Sequence, residues 1–276
     1  MTQIREVIAD NPDWGRERIS IHLCELWDWR VPGGHVKDIS CRDMLRALDK
    51  AGSIKLPAPL KTIGQSPRHD VRRFEHDTTP INCVLDLLRP LSVDVVESGG
   101  GLAEFKSLIY QYHYLGYDRT VGENMKYIIR GNNGATLACV MFGSAAWKCR
   151  DRDAYIGWSM EQRKSRLFML TNNVRFLIVP WVRVPHLASH CLALVTHRLN
   201  EDWEAKYGHL ISLLETFVET GRFRGTCYQA ANWTRVGRTA GRGRGDFRHE
   251  RALPEKDIFL LPLTKKWRES LLAQLS

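Results

Sequence analysis

The residues whose types and spacing can do chemistry fall into three groups, and the first is a run of arginines. Residues 222–251, RFRGTCYQAANWTRVGRTAGRGRGDFRHER, set eight arginines against two acids, with Phe223, Tyr228, Trp233 and Phe247 interleaved. Guanidinium forks match phosphate oxygens and flat side chains stack on bases. Arg222, Arg224, Arg235, Arg238, Arg242 and Arg244, with Trp233, are therefore the expected contacts to DNA. The segment supplies six of the nine surplus positive charges of the chain, so the basic balance is local and points to a polyanionic partner.

Carboxylates form the second group. A metal-dependent nuclease or transposase needs two or three of them converging on Mg²⁺. Asp151, Asp153, Glu215 and Glu219 lie in or beside expected strands, but their spacing matches no metal motif, and Asp153 beside Arg152 has the pattern of a surface ion pair. Glu215 is different because it interrupts the apolar strand HLISLLETFVE. Strand alternation puts Leu213 and Phe217 on its side, and a buried carboxylate must be paired or serve chemistry. Glu215 is expected to matter to activity more than to folding.

The third group is cysteine. Seven is an odd number, none lie in a CxxC or a zinc-finger Cys/His spacing, and several sit in apolar company, as in LACVMF and HCLALV. They are expected to be reduced core thiols, with no metal site.

These residues need elements to hold them. With 43% hydrophobic and 26% charged residues the chain has the composition of a globular protein. Its longest apolar runs, 176–182 and 258–263, fall far short of the roughly 20 residues that span a bilayer. Its first twenty residues are charged throughout, unlike a secretory signal. A cytoplasmic protein without a membrane partner is expected.

Helical spacing covers 2–10, then 16–27 with Ile19, Leu23, Leu26 and Trp27 inward, then 38–50 with Asp38 or Ser40 capping and Ile39, Met44, Leu45 and Leu48 on one face. VPGG at 31–34 is a turn, and GSIKLP at 52–57 is expected to be a short strand. Three helices and a strand make a winged-helix-like domain over 1–57 whose third helix offers Arg42 and Arg46 to a DNA groove. The domain balances nine basic against nine acidic residues, so it is expected to choose a site while the rest of the chain supplies affinity. Residues 58–80, rich in proline and polar residues, form the linker.

Beyond it the flexible triplet Gly99–Gly101 precedes a helix over 102–112. MKYIIRG and ATLACVMFG, separated by two asparagines between glycines, pair as antiparallel neighbours. A helical patch over 159–170, a strand over 174–184, a helix after Pro185, a strand through Glu215, a short helix TCYQAANW and strands TRVGRT and DIFLLPL complete an α/β (α+β) chain.

This order is similar to that of the GNAT acyltransferase fold, above all over 174–239, where a strand ending VRV enters a helix and CYQAANWTRVG carries an aromatic short helix. The segments YHYLGYDRTVGENMKYIIRG, MFGSAAWKCRDRDAYIGW, NNVRFLIVPWVRVPHLASH and LETFVETGRFRGTCYQAANWTRVGRTAGRGR, together with LCELWDWR, resemble the DruA-type family named after the Druantia anti-phage system. That resemblance implies phage defence or carriage on a mobile element, with other defence-system subunits as partners, while the GNAT-like order of elements implies a mixed-sheet GNAT-like domain over 81–276. It brings no settled catalytic residues.

The GNAT resemblance implies that strand ends gather His113, Tyr114, Glu215, Tyr228 and 186–189 around one cleft, with Tyr228 as acid and Glu215 or His113 as base. His186, Ala188 and Ser189 stand where such enzymes hold a pyrophosphate in an Arg/Gln-x-x-Gly-x-Gly/Ala loop. PHLASH has neither glycine, so weak or no binding of an acetyl-CoA-like ligand is expected. The expected function is a DNA-binding protein whose GNAT-like domain modifies or senses DNA. The alternatives are a Mg²⁺-dependent nuclease or transposase using acids such as Asp153, and an inert DNA adaptor.

Overall fold

The computed structural model describes residues 2–30, 36–58, 73–118, 120, 122–239 and 254–273. The VPGG turn, most of the expected linker, and Arg242 and Arg244 lie outside these residues. The chain divides into two compact units, 1–70 and 71–276.

The first unit is three helices, α1 (Thr2–Asp10), α2 (Arg16–Leu26) and α3 (Asp38–Lys50). Ile4, Val7, Ile19, Leu23, Cys24, Cys41 and Leu45 meet in its core. Two helix phases differ from the pattern read in the sequence. Cys24 and Cys41 take the inward positions, which turns Leu26 and Ile39 to the surface. Neither Asp38 nor Ser40 caps α3. Its N-cap is Lys37, with no side-chain cap, and Asp38 pairs instead with Arg42 at 2.5 Å. The strand expected at 52–57 is not formed. Ile54 and Leu56 point into the helical core, Leu56 N donates to Asp49 Oδ1 (3.0 Å), and Arg16 Nε donates to Pro57 O (2.7 Å). Side-chain burial against helices has taken the place of strand pairing.

The second unit is built on a seven-stranded mixed sheet. Its strands are β1 (Ser92–Val95), β2 (Met125–Arg130), β3 (Thr136–Ser144), β4 (Leu170–Ile178), β5 (Leu213–Glu219), β6 (Thr234–Arg238) and β7 (Lys256–Pro262), in the order β1-β2-β3-β4-β5-β7-β6. Every neighbouring pair is antiparallel except β4 and β5. The connection between them contains the long helix α7 (Leu187–Tyr207), as a parallel crossover requires. This is the GNAT-like mixed arrangement expected from the order of elements.

One face of the sheet packs against α7 and α8 (Thr226–Ala230), through Leu192, Val195, Leu199 and Trp203, while α4 (Gly99–Tyr112) covers the β1–β3 end of the opposite face through Phe105 and Leu108, where Glu104 meets Arg130 of β2. That opposite face also packs against α5 (Arg150–Ile156), α6 (Met160–Arg166) and α9 (Trp267–Leu272), around Ile156, Trp158, Leu213, Ile258, Leu260 and Leu271. Both faces of β5 are therefore buried, which is why its sequence is a nearly unbroken apolar run.

Three boundaries moved. Gly99–Gly101 are the first turn of α4 rather than a flexible joint, because Gly99 at φ +65° lets the chain enter the helix sharply. The helical patch after Ser159 is α6 followed by a 3₁₀ turn over Leu167–Met169, and β4 starts at Leu170 rather than at 174, so Asn172 and Asn173 lie in the strand. The strand ends at Ile178, before Pro180, which has no N–H to continue a ladder. All seven cysteines are free, five of them buried. No helix among the described residues is long and apolar enough to cross a membrane.

Candidate functional site

The site begins with a broken pairing. β4 and β5 pair only from Leu170–Asn172 to Leu213–Glu215, although each strand runs on, to Ile178 and to Glu219. A register shift of β4 against β3, where Met141 pairs with Arg175 and Phe142 with Asn173, leaves Val174 as an extra residue. Such a bulge bends its strand. The two strands diverge, and a cavity of about 440 Å³ opens in the wedge, lined mainly by Phe176, Ile178, Phe217, Val218, Cys227 and Tyr228.

Asn173 ties the wedge at its narrow end. Its Nδ2 donates to Met141 O and Arg175 O (3.1 Å each), and its Oδ1 accepts from the Tyr228 hydroxyl at 2.6 Å. Burial pushes that hydroxyl well above its ordinary pKa, so Tyr228 is a committed hydrogen-bond donor across the wedge. Tyr228 also stacks on Phe259, with centroids 5.9 Å apart.

His113 and Tyr114, just past the end of α4, line the same cavity. Leu115 N donates to His113 Nδ1 (3.2 Å), which leaves the proton on Nε2 and makes the imidazole a donor there. Burial, with the nearby Arg175 cation, lowers the His113 pKa from 6.5 to about 4. The unfolded chain takes up this proton near pH 6.5 and the folded chain only near pH 4, so the contribution to stability is complete above 6.5 and lost as pH falls toward 4. His113→Gln is expected to flatten that limb of the stability profile. An NMR titration of His113 with a midpoint above pH 6 would refute the assignment.

A second cavity, of about 600 Å³, shares Leu115, Phe217 and Glu219 with the first. It carries Lys148, Arg150, Arg238 and Lys256 around its wall, together with Asp151. Arg150 leans on Asp151 (2.8 Å) and Arg238 on Asp257 (2.9 Å) and Glu255 (3.1 Å). An apolar slot thus opens beside a cationic cleft. Lys148, Arg150, Lys256 and Leu115 at this junction were not singled out in the sequence, whereas Phe223 was named as one of the aromatics in the arginine run. Only WKCRDR, a basic stretch before a short helix, hinted at it.

Of the expected site residues, the wedge brings together His113, Tyr114 and Tyr228. Glu215 is not among them. It lies on the other face of β5, fully buried, where its carboxylate accepts from Ala146 N (2.6 Å) and from Arg152 Nη1 (2.7 Å). Asp153 is no surface partner either. Arg152 is itself fully buried, and its Nε and Nη2 both reach Asp153 Oδ1, at 2.9 and 2.7 Å. Arg163 approaches Asp153 from the other side at 3.2 Å. Burial works against both the Arg152 charge and ionisation of Glu215. The carboxylates of Glu215 and Asp153 outweigh it and hold the guanidinium above its ordinary pKa.

Asp151 and Glu219 are engaged by Arg150 and Arg222, and no group of three His, Cys, Asp or Glu positioned for a metal occurs among the described residues. His186, Ala188 and Ser189 do not line the wedge. His186 sits at φ +63° before α7, and Ser189 Oγ turns back to His186 O at 3.0 Å. Side chains occupy the positions where a pyrophosphate would need bare backbone, so the helix start does not fit an acetyl-CoA-like group.

The arginine run is also rearranged. Arg222 pairs with Glu219 (2.9 Å) and Arg235 with Asp257 (2.7 Å), while Arg224 is exposed. Trp233 is 3% exposed and packs edge-on against Tyr228, so it is a core residue and not a stacking surface. Arg42 and Arg46 of the helical unit pair with Asp38 and with Asp43 (2.9 Å).

Comparison with known proteins adds a family. The family model described as Druantia protein DruA matches residues 50–253. No curated protein matches the chain. Among solved structures, the spermidine N-acetyltransferase of Vibrio cholerae in complex with CoA and spermine aligns at 8% identity over 63% of this chain and 95% of that one, with a TM-score of 0.41. The V. cholerae spermidine/spermine N-acetyltransferase SpeG in complex with manganese ions aligns at 10% identity over 65% and 96%, with a TM-score of 0.39.

Proposed function

The chain belongs to the family of the Druantia protein DruA, and from that premise we propose that it is a DNA-binding component of an anti-phage defence system, whose GNAT-like domain modifies or senses DNA where the two cavities meet. The observation that carries this reading is the junction itself. Phosphates need cations that can be reached from solvent, and Lys148, Arg150 and Lys256 line the cleft that opens into the wedge. Bases need an apolar slot with a few oriented polar groups, and His113, whose Nδ1 is taken by Leu115 N so that Nε2–H is left to donate, lines such a slot.

Of the acids weighed, Glu219 lies at the junction, whereas Glu215 and Asp153 are held by Arg152. Asp151 and Glu219 line the second cavity but are held by Arg150 and Arg222, and the metal-dependent nuclease reading lacks a group of three metal-binding side chains among the described residues. The helical unit contributes site preference through α3, with base edges in the groove competing against Asp38 and Asp43 for Arg42 and Arg46.

Fluorescence anisotropy with a labelled oligonucleotide tests the reading. Each phosphate contact steepens the fall of log affinity with log salt by about 0.9 on a duplex and 0.7 on a single strand. Lys148→Ala with Lys256→Ala should lower the slope by roughly one and a half to two. An unchanged slope would remove the cleft from the interface. Arg238 is the poorer probe, because its side chain anchors β6 to Asp257.

A further inference from the structure

At the mouth of the wedge three large apolar side chains stand out of the protein. Phe223 is 50% exposed, Leu115 47% and Tyr114 38%. One such residue is ordinary on any surface. Here they adjoin one another. The Tyr114 and Phe223 rings are 5.4 Å apart, His113 lies 4.9 Å from Tyr114 on its other flank, and Leu115 lines both cavities. The Arg222 guanidinium sits 5.2 Å over the Tyr114 ring while Glu219 holds its Nε at 2.9 Å, so the cation is fixed in place beside the ledge.

This is an exposed aromatic ledge, its Tyr114 and Phe223 rings inclined at 56° to each other, bordered by a cationic cleft and with an apolar cavity behind it. Resting on the DNA-directed reading of the same junction, we infer that the nucleic acid is taken with an unpaired nucleotide, whose base stacks on the exposed Phe223 ring beside Tyr114 while the flanking phosphates run along Lys148, Arg150 and Lys256. The physical reason is reach. In a paired duplex the faces of the bases are covered by their neighbours and the edges lie at the bottom of a groove, so a base enters a slot between two strands only after leaving the stack. A charged groove combined with aromatic faces is how proteins hold bases already exposed, and it tolerates any base because each has a flat face. The wedge also offers few groups to read a base edge, since Asn173 is consumed by Met141, Arg175 and Tyr228. Recognition of strand state rather than of sequence is what these side chains provide.

An unpaired base exists in a single strand and can be supplied by a mismatched duplex, so the test uses three labelled DNAs with the full-length protein at fixed salt: a 20-nucleotide single strand, its perfect duplex, and the duplex with one central mismatch. The single strand is expected to bind at least tenfold tighter than the perfect duplex. Mismatch binding close to that of the single strand identifies extrusion from a duplex as a source, and mismatch binding close to the perfect duplex restricts the ligand to single strands. Phe223→Ala should weaken single-strand binding about tenfold, the scale of one lost stacking contact, and leave the weak duplex binding unchanged. Phe223→Trp should restore it.

Because Phe223 is half-exposed, its truncation leaves the core intact, and an unchanged melting temperature confirms this in the same samples. Equal affinity for all three DNAs, a duplex preference, or indifference to Phe223→Ala overturns the inference while DNA binding stands. Absence of binding to every DNA overturns both.

Discussion

Arg152→Met is expected to lower the melting temperature by about 10 °C or more. The substitution keeps the volume of a side chain that is fully buried and removes the one positive charge facing Glu215. Breaking one partner of a buried ion pair strands the other in a medium that solvates it poorly, at a cost of roughly 3–5 kcal/mol. For a unit of this size each kcal/mol moves the midpoint by about 2–4 °C. Among the described residues Ala146 would remain as the sole hydrogen-bond donor to the Glu215 carboxylate, and Asp153 would lose two of its bonds.

The pairing itself is what matters, so the double variant Arg152→Met with Glu215→Leu should recover most of the loss, since apolar replacement of a whole buried pair is commonly neutral or stabilising. Glu215→Gln should melt several degrees low while leaving DNA affinity unchanged, because its side chain lines neither cavity. Wild-type melting with lost binding or activity would return Glu215 to the site and refute the structural assignment. Thermal melting of the four proteins beside their DNA isotherms decides it.

The second large effect is expected at Gly225, the N-cap of α8, which lies at φ +68°. An L-residue in this left-handed conformation costs roughly 1–2 kcal/mol. A methyl group here would also lie 2.6–2.7 Å from the Phe259 ring. Phe259 is fully buried and stacked on Tyr228, so it cannot withdraw without moving the residue that ties α8 to Asn173 across the wedge. Gly225→Ala should therefore cost about 2–4 kcal/mol from conformation and overpacking together. It should also disturb the shape of the cavity.

A double-mutant cycle with Phe259→Leu isolates the second part. Shortening the ring makes room for the methyl, so the two losses should be clearly less than additive. Strict additivity would mean the clash relaxes without cost and only the conformational penalty remains.

What the sequence determined by itself was whatever depends on neighbours along the chain. α1, α2, α3, the β2–β3 hairpin, β5 and β7 follow from periodicity and turn residues, and strand alternation placed Glu215 with Leu213 and Phe217, which do share the α5 side of the sheet. Local pattern also located the arginine surplus. It could not say which arginines face solvent, because the acid that binds both Arg235 and Arg238, Asp257, arrives on β7 from about twenty residues away.

Tertiary structure alone decided the rest. Glu215 looked like a reactive group because its partner, Arg152, is 63 residues distant and meets it only once β5 and α5 are packed. Trp233 resembled a stacking side chain until α8 folded its ring against Tyr228. The wedge itself comes from a one-residue register shift between β3 and β4 and from the parting of β4 from β5. Register is a property of two strands and of the layers that cover them, so no periodicity within either strand encodes it. The junction follows from the same cause: Lys148, Phe223 and Lys256 are far apart in the chain, and the divergence of two strands gives them a common cleft.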